Sequence, residues 1–173
     1  MNRQRGRKVL KTNRLNIRKM IESDKTNLLK IFSDPVAMEF YPDTKNEEET
    51  IRWINWTINN YDKFGVGLWV VESLKTGQFL GQCGIVPQKV DGEVQMEIGY
   101  TFIRQFWGNG YATEAAVACK DYGFSVLKLP RLISLIDPLN KASIKVAKRM
   151  GMTFEKSIEK WGKTIAIYAI DNK

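Results

Sequence analysis

The sequence contains no histidine among its 173 residues. Histidine is the commonest protein ligand of zinc and the usual general base near neutral pH. Its absence therefore excludes every catalytic triad built on an imidazole, and we expect no metal site. Acid–base chemistry in this chain must use carboxylate, hydroxyl or amine groups.

Cysteine and long apolar segments are also scarce. The two cysteines, Cys83 and Cys119, lie far apart in the sequence and match no paired metal-binding or redox spacing, so we expect small buried thiols in a reducing compartment. No window approaches the eighteen or so apolar residues that span a bilayer, and no apolar signal segment follows the charged N-terminus. We expect a cytoplasmic protein without membrane contact.

The first twenty residues contain no acidic side chain, although the whole chain carries 27 basic and 19 acidic residues. Removing the eight basic residues of that segment leaves 27 − 8 = 19, so the rest of the chain is balanced. We expect one domain over residues 1–173 with a solvated, partly disordered basic tail at 1–11. The alternative is an arm that contacts phosphates and brings the protein near RNA or the ribosome.

Hydrophobic periodicity predicts an α+β domain. Helices are expected from Ser23-Asp24 to Phe32, from about Asn46 to Tyr61, from Tyr111 to about Leu127, and from Asn140 to Met150, with Ser23-Asp24 supplying N-cap chemistry for the first. Strands are expected at 15–18, 68–74, 79–86, 94–102, 132–136, 154–159 and 164–170. The fourth strand, a helix and the fifth strand should form a right-handed crossover.

Two glycines one residue apart, Gly108 and Gly110, stand where the fourth strand ends and a helix begins. Glycine at both positions lets successive N–H groups turn toward a ligand, and the helix adds its first unpaired N–H groups. Such a corner suits a pyrophosphate, although a plain turn explains an isolated glycine pair equally well. Neither a Rossmann glycine pattern nor a Walker loop matches.

The segment QFWGNGYA, residues 105–112, resembles the Q/R-x-x-G-x-G/A acetyl-CoA signature of the GNAT (Gcn5-related) N-acetyltransferases. Separate segments agree in the same order: TNRL at 12–15, EIGY at 97–100, N-x-x-S at 140–143 and K-x-x-G-M-x-F at 148–154. They are typical of the branch that acetylates ribosomal proteins. Met152 departs from the usual phenylalanine.

The resemblance implies a mixed, mostly antiparallel sheet of about seven strands flanked by about four helices and splayed between its fourth and fifth strands. It also implies acetyl-CoA as co-substrate, with the pyrophosphate held by the backbone of Gln105, Trp107, Gly108, Gly110 and Tyr111. The residues expected to contact the cofactor are Ile98, Gly99, Tyr100, Gln105, Phe106, Trp107, Gly108, Asn109, Gly110, Tyr111, Ala112, Asn140, Ser143 and Lys145. Lys145, with Lys141 and Lys148, could meet the 3′-phosphate or remain solvated.

Glu97 is the expected general base, because it lies mid-strand near the expected thioester and no histidine is available. Its alternative role is an ion pair with Arg104 or simple orientation of substrate. Ser143 is expected to assist the leaving thiolate, and an N–H near Ile98 or Gly99, at an expected strand bulge, to polarise the acetyl carbonyl.

The acceptor side is expected in the first half of the chain, with Glu39 and Tyr41 as substrate-binding residues. The helix with Trp53 and Trp56 belongs to this same side, as does Trp69, although aromatic residues at such positions are more often core than pocket.

These inferences predict transfer of acetyl to a primary amine, above all a protein or peptide N-terminal α-amine of the ribosomal-protein type. The alternatives are a small amine, such as an aminoglycoside, polyamine or amino acid, and a non-catalytic module that senses acetyl-CoA or associates with RNA. The expected assembly is a monomer or a homodimer.

Overall fold

The computed structural model describes residues 5–173, in which one eight-stranded sheet carries helices on its faces. The strand order is β1-β2-β3-β4-β5-β6-β8-β7, and only the β5–β6 pair is parallel. The strands are β1 (Lys8–Lys11), β2 (Leu15–Lys19), β3 (Leu68–Ser73), β4 (Phe79–Val90), β5 (Glu93–Phe102), β6 (Arg131–Ile136), β7 (Thr153–Lys160) and β8 (Lys163–Asp171). The helices are α1 (Lys25–Phe32), α2 (Glu47–Phe64), α3 (Tyr111–Ser125) and α4 (Lys141–Arg149).

The predicted fold class is confirmed, with one strand more than expected. The additional strand, β1, lies in the segment expected to be a tail, so that expectation is wrong for residues 8–11; residues 1–4 lie outside the described residues. Val9 and Leu10 pack against the core between two exposed lysines, and β1 pairs antiparallel with β2. Two half-buried apolar side chains are enough to attach this basic segment to the sheet edge.

Helices α2 and α1 begin in different ways. Asn46 and Glu49 form a reciprocal capping box at the start of α2, and Gly65 ends that helix with a φ of +72°. Asp24 precedes α1 as predicted, but its carboxylate caps no helical N–H. It binds the buried guanidinium of Arg18 instead, which also pairs with Glu72, because a buried arginine requires charged partners.

The two cysteines meet across the core although 36 positions separate them. Cys83 on β4 and Cys119 on α3 are both buried and free, and their Sγ atoms lie 3.6 Å apart. Burial raises the pKa of the Cys83 thiol, so this thiol stays neutral, and both side chains pack like small apolar groups. The contact fixes the body of α3 against the sheet.

The sheet opens between β5 and β6. Their ladder has a single residue pair, Glu97 opposite Ile133, whereas β4 and β5 pair continuously over ten residues. Beyond that pair, side chains replace backbone bonds: Ser134 Oγ donates to the carbonyl oxygen of Ile98 at 2.9 Å, and the Leu135 N–H donates to the Glu97 carboxylate at 2.7 Å. This opening is the predicted splay between the fourth and fifth predicted strands.

Candidate active site

The corner between β5 and α3 has the geometry that its glycines predict. Gly108 and Gly110 adopt φ angles of +80° and +79°, which favour glycine strongly. A Cβ at Gly108 would meet no protein atom within 4 Å, so packing against the rest of the protein does not explain the glycine at this position. Among residues 5–173, no acceptor takes the N–H groups of Gly108, Gly110 or Tyr111. The corner therefore offers open space and unpaired donors.

One of the five expected backbone donors is committed elsewhere. A 3-10 turn, Arg104–Phe106, precedes the glycines, and the Trp107 N–H donates to the carbonyl oxygen of Arg104 at 3.1 Å. The expectation that Trp107 contributes a main-chain N–H is therefore wrong. Its indole Nε1 donates to the carbonyl oxygen of Phe102 at 2.9 Å, which anchors the turn to β5.

Contacts from the β1–β2 turn hold the first turn of α3 in place. Glu114 accepts from the Thr12 hydroxyl at 2.5 Å and from Arg14 Nε at 2.7 Å. The Arg14 guanidinium also lies over the Tyr111 ring, 4.6 Å from its centroid. These contacts hold the TNRL segment, residues 12–15, against the start of α3. They therefore help to orient the N–H groups of the glycine corner.

A cavity of about 360 Å³ lies at the β5–β6 opening. Its lining is mostly apolar and comes from four regions of the chain: the 38–45 loop with α1 and α2, the middle of β4 and β5, the end of β6 with the start of α4, and the β7–β8 turn. Of the expected cofactor residues, the lining includes Ile98, Gly99, Tyr100, Asn140 and Ser143. The glycine corner lies outside this lining, so the cofactor residues fall into two groups.

Glu97 is the buried carboxylate of this cavity. Gln88 Nε2 donates to Oε1 at 3.0 Å and the Leu135 N–H donates to Oε2 at 2.7 Å, so each oxygen accepts one neutral hydrogen bond. Desolvation by burial raises its pKa from 4.5 to about 7, against the opposing effects of these two bonds and of the Lys160 charge. Within the described residues no cation pairs with Glu97 directly.

Two details expected around Glu97 are wrong. Arg104 pairs with Asp34 at 3.0 Å and not with Glu97, because the 3-10 turn carries it toward the end of α1. The expected bulge near Ile98 or Gly99 is absent from the β4–β5 pairing, which runs without a register shift from Glu93 to Phe102. The opening arises because β6 diverges, and no distortion of β5 is needed.

Asn140 is the N-cap of α4, and Ser143 is the third residue of that helix. The Asn140 side chain accepts from the Ser143 N–H at 3.2 Å, and both residues line the cavity. Tyr100 donates its hydroxyl proton to the Ser143 carbonyl oxygen at 2.8 Å, which connects β5 to α4 across the opening. Burial raises the Tyr100 pKa further, so this hydroxyl remains a donor at neutral pH.

The cavity lining includes Tyr41 but not Glu39. Glu39 is exposed and absent from the cavity lining, because the turn that buries Met38 and directs Phe40 and Tyr41 inward directs Glu39 outward. Glu39 therefore does not supply this cavity with the acidic partner that was expected for a cationic amine. Although 43% of Tyr41 is exposed, desolvation by the surrounding protein and the Glu97 charge raise its pKa, so it stays protonated.

The tryptophans divide between core and cavity. Trp69 is 1% exposed and packs edge-on against Tyr122, as expected for a core residue. Trp53 and Trp56 instead line the cavity with their rings 5.2 Å apart, so the pocket alternative holds for these two. The helical period of α2 places them three residues apart on one face, and the sheet opening leaves that face partly uncovered.

Sequence reasoning missed several residues at or beside this cavity. Lys163 Nζ contacts the Phe40 carbonyl oxygen at 3.0 Å and Asp137 at 2.8 Å, joining the β7–β8 turn to two other walls. Lys45 and Trp161 line the cavity, yet neither belongs to a motif. Gln88 was predictable: the Asp91-Gly92 turn fixes the β4–β5 register, which places Gln88 diagonally across from Glu97.

The lysines on α4 give no sign of a dedicated phosphate site. Lys145 and Lys148 are exposed, and Lys141 donates to the carbonyl oxygen of Pro138. No cluster of three metal-ligating side chains occurs in residues 5–173. None of the helices in this part of the chain has the length and apolarity needed to cross a membrane.

An open parallel pair of strands lies beside a corner of unpaired N–H groups at a helix start, and the buried carboxylate of Glu97 stands on one of the two strands. Residues 14–153 match the family profile described as Acetyltransferase (GNAT) domain. The chain belongs to the GNAT acetyltransferase family and is an acyltransferase.

Known proteins agree with this assignment. The chain is 49% identical over 160 residues to YkkB of Bacillus subtilis, covering 92% of this chain and 93% of that protein. A GNAT-family acetyltransferase structure from Bacillus anthracis is 30% identical with a TM-score of 0.80, covering 94% and 98% of the two chains. RimL, a ribosomal L7/L12 alpha-N-protein acetyltransferase in complex with coenzyme A, has a TM-score of 0.79 at 18% identity, covering 95% and 97%, which shows a shared fold.

Proposed function

We propose that the protein transfers acetyl from acetyl-CoA to the primary α-amine of a peptide or protein N-terminus, with Glu97 as general base. The observation that carries the proposal is a buried carboxylate with a pKa raised to about 7 inside the cavity at the sheet opening. A base with a pKa near the working pH combines a useful ionised fraction with the ability to accept a proton.

The glycine corner fits a diphosphate. Its unpaired N–H groups lie at the positive end of α3, and the space beside Gly108 admits a ligand where any side chain would intrude. Gly108, Gly110, Tyr111 and Ala112 would hold the diphosphate through their main chain. When bound there, acetyl-CoA supplies an acetyl group already activated as a thioester.

The protein's own part in the reaction is positioning and proton transfer. Glu97 takes one proton from the incoming ammonium, directly or through water, and its two fixed hydrogen bonds leave lone pairs on both oxygens for that purpose. An α-amine has a reference pKa of about 8 and a lysine or polyamine amine about 10.4, so a base with a pKa of about 7 suits the α-amine better. The neutral amine attacks the thioester carbon, the C–S bond breaks, and the leaving thiolate takes up the second proton that the nitrogen loses. Ser143, whose main-chain N–H donates to the Asn140 side chain, is the group proposed to assist departure of the thiolate.

The ribosomal-protein acceptor is the finer part of this proposal. RimL, which shares the fold, is named for acetylating a ribosomal protein α-amine. The two basic residues of β1, Lys8 and Lys11, would favour a site near RNA. The cytoplasmic location and the oligomeric state, monomer or homodimer, stay predictions.

A release assay for free coenzyme A tests the proposal across N-terminal peptides, polyamines, aminoglycosides and amino acids. Turnover is expected with α-amines and depends on Glu97. The proposal fails if no amine releases the thiol. A salt-dependent shift of RNA that is lost on deletion of residues 1–11, without thiol release, would support the non-catalytic RNA-associated alternative.

A further inference from the structure

The acceptor cavity contains a cation whose charge no neighbouring acid neutralises. Lys45 is half-buried at the cavity wall, with Nζ 5.3 Å from the ring centroid of Trp53 and 5.9 Å from that of Phe32. Among the described residues it forms no ion pair, although Glu47, Glu48 and Glu49 follow it in the sequence.

Each of those three acids has another partner. Glu47 pairs with Lys25, Glu48 pairs with Arg52, and Glu49 accepts the N–H of Asn46 in the capping box. The start of α2 therefore directs its acids away from the cavity and leaves the Lys45 ammonium facing it. An ammonium on an aromatic surface at a cavity wall is a binding group for an anion.

The remaining charges of the cavity wall are few. Of residues 5–173, only Lys45, Glu97 and Asp137 bring charge to this lining, and Asp137 is paired with Lys163. The wall thus presents one free cation and one carboxylate that is about half-ionised near pH 7. An acceptor with several ammonium groups would find a single acid and would be repelled by Lys45.

Most of the remaining lining is apolar or aromatic. Trp53, Trp56 and Tyr41 form an aromatic side that could attract a ligand cation, but the Lys45 ammonium already occupies the position over Trp53 and Phe32. A ligand group packed on this aromatic side would therefore be uncharged, and a group beside Lys45 would be anionic.

We infer that the acceptor is an amine bearing an apolar or aromatic group and a carboxylate, with the carboxylate bound by Lys45 and the amine beside Glu97. This inference rests on the proposed function for the position of the amine. Two sources share the chemistry: a free apolar α-amino acid, and a peptide whose apolar first residue is followed by an acidic side chain.

Transfer kinetics test the carboxylate requirement. The acceptors are phenylalanine, phenylalaninamide, a C-terminally amidated peptide of phenylalanine then aspartate, its counterpart with asparagine, and spermidine. For the parent protein, kcat/KM is expected to be about tenfold or more higher for a carboxylate acceptor than for its amide counterpart. Preference for the amino acid or for the acidic peptide identifies the source.

Two lysine variants make the test specific. Lys45→Met should reduce the carboxylate preference to within about twofold. Lys63→Met is the matched control, because Lys63 lies over the Phe64 ring at 5.3 Å near the other end of α2 and outside the cavity. The inference is wrong if the amides react as well as the acids, if spermidine is preferred, or if Lys45→Met behaves like Lys63→Met.

Binding without transfer separates this inference from the proposed function. The ligand is 3-phenylpropionate, which has the ring and the carboxylate but no amine. Its binding should change the tryptophan fluorescence of the protein, because Trp53 and Trp56 line the cavity. Binding to the parent protein, weakened about tenfold by Lys45→Met and absent for 3-phenylpropanamide, supports the anion site even if no amine is acetylated. Equal binding of acid and amide overturns it whatever the transfer assay shows.

Discussion

The two ends of the site are built in different ways. At the glycine corner, main-chain N–H groups and two positive φ angles form the binding surface, and side-chain identity matters little. At the acceptor cavity, side chains from four separate regions form the wall, and the main chain serves mainly as support. Under the proposed function, the co-substrate would be bound by a local backbone shape, whereas acceptor choice would depend on side chains from separate segments of the chain.

The largest effect is expected from disturbing the backbone end. Gly108→Val should weaken coenzyme A binding at least about 100-fold, because its Cβ enters the ligand space and the turn loses donors worth roughly 1.5–3 kcal/mol each toward a charged group. Calorimetric titration measures the affinity.

Gly92→Val is the matched control for backbone strain. Gly92 has a φ of +83° and open space around its Cβ position, but it lies in the β4–β5 turn. Both variants should lose similar stability, and only Gly108→Val should lose affinity. Equal affinity in the two variants would exclude the corner as the diphosphate site.

At the side-chain end, Glu97→Gln should lower kcat by about 100-fold or more and leave the coenzyme A dissociation constant within about twofold. The kcat/KM profile of the parent should fall below an apparent pKa near 7, and the variant should lose that component. Steady-state kinetics from pH 5.5 to 9 measure both.

Glu93→Gln provides the comparison on the same strand, because Glu93 is exposed at the start of β5. It should retain the parent's rate and pH profile. If Glu97→Gln also retains the component near pH 7, Glu97 is not the base.

Burial of Glu97 should also cost stability in a pH-dependent way. The unfolded chain releases this proton near pH 4.5 and the folded protein near pH 7, so stability falls as pH rises between these values and stays lower above them. Glu97→Gln removes this loss. The free energy of unfolding of the variant minus that of the parent should therefore be about 2–3 kcal/mol more favourable to the variant at pH 9 than at pH 5. Urea unfolding at both pH values checks this; a difference that is constant with pH would contradict it.

Lys163 tests how far the cavity depends on its side-chain connections. Lys163→Met removes the bonds to Phe40 and Asp137, and we expect the KM for the amine to rise about fivefold while coenzyme A affinity is unchanged. Lys156→Met is a suitable control, because Lys156 lies on the exposed strand β7 and its ion pair with Asp91 is outside the cavity. If Lys163→Met weakened binding of the amine and of coenzyme A by the same factor, the result would indicate general unfolding of the site.

The smallest effect is expected where a side chain supports the backbone end. Arg14→Met removes the ion pair with Glu114 and the stacking on Tyr111, so coenzyme A binding should weaken about two- to threefold. Arg52→Met, which breaks the exposed pair with Glu48, should leave the affinity unchanged. An equal result for the two would remove any role for Arg14 in orienting the corner.

The same contrast explains what the sequence could predict. The glycine corner, the Asn46 and Asn140 caps and the long strand β5 depend on local residue chemistry, so a pattern over a few positions was sufficient. Ser143 came from the resemblance of the N-x-x-S segment, and its role stays a prediction.

The acceptor wall was not accessible to this reasoning. Lys45 and Trp161 are far apart in the sequence, and only the divergence of β6 from β5 makes them neighbours of one cavity. Glu39 was chosen for its charge, but one residue of turn geometry decides which side chain faces inward. The residues of β1 were misjudged because charge outweighed two apolar positions that tertiary pairing makes decisive.

The protonation of Glu97 is the most direct test of the proposed site. Carbon-13 NMR of the side-chain carboxyl carbons, titrated from pH 4 to 9 and assigned with Glu97→Gln, measures its pKa in the free protein. A carboxyl that titrates near pH 7 agrees with a buried base at the sheet opening. A carboxyl that titrates near its ordinary value of 4.5 would contradict the proposal that Glu97 is held ready to accept the proton of an amine.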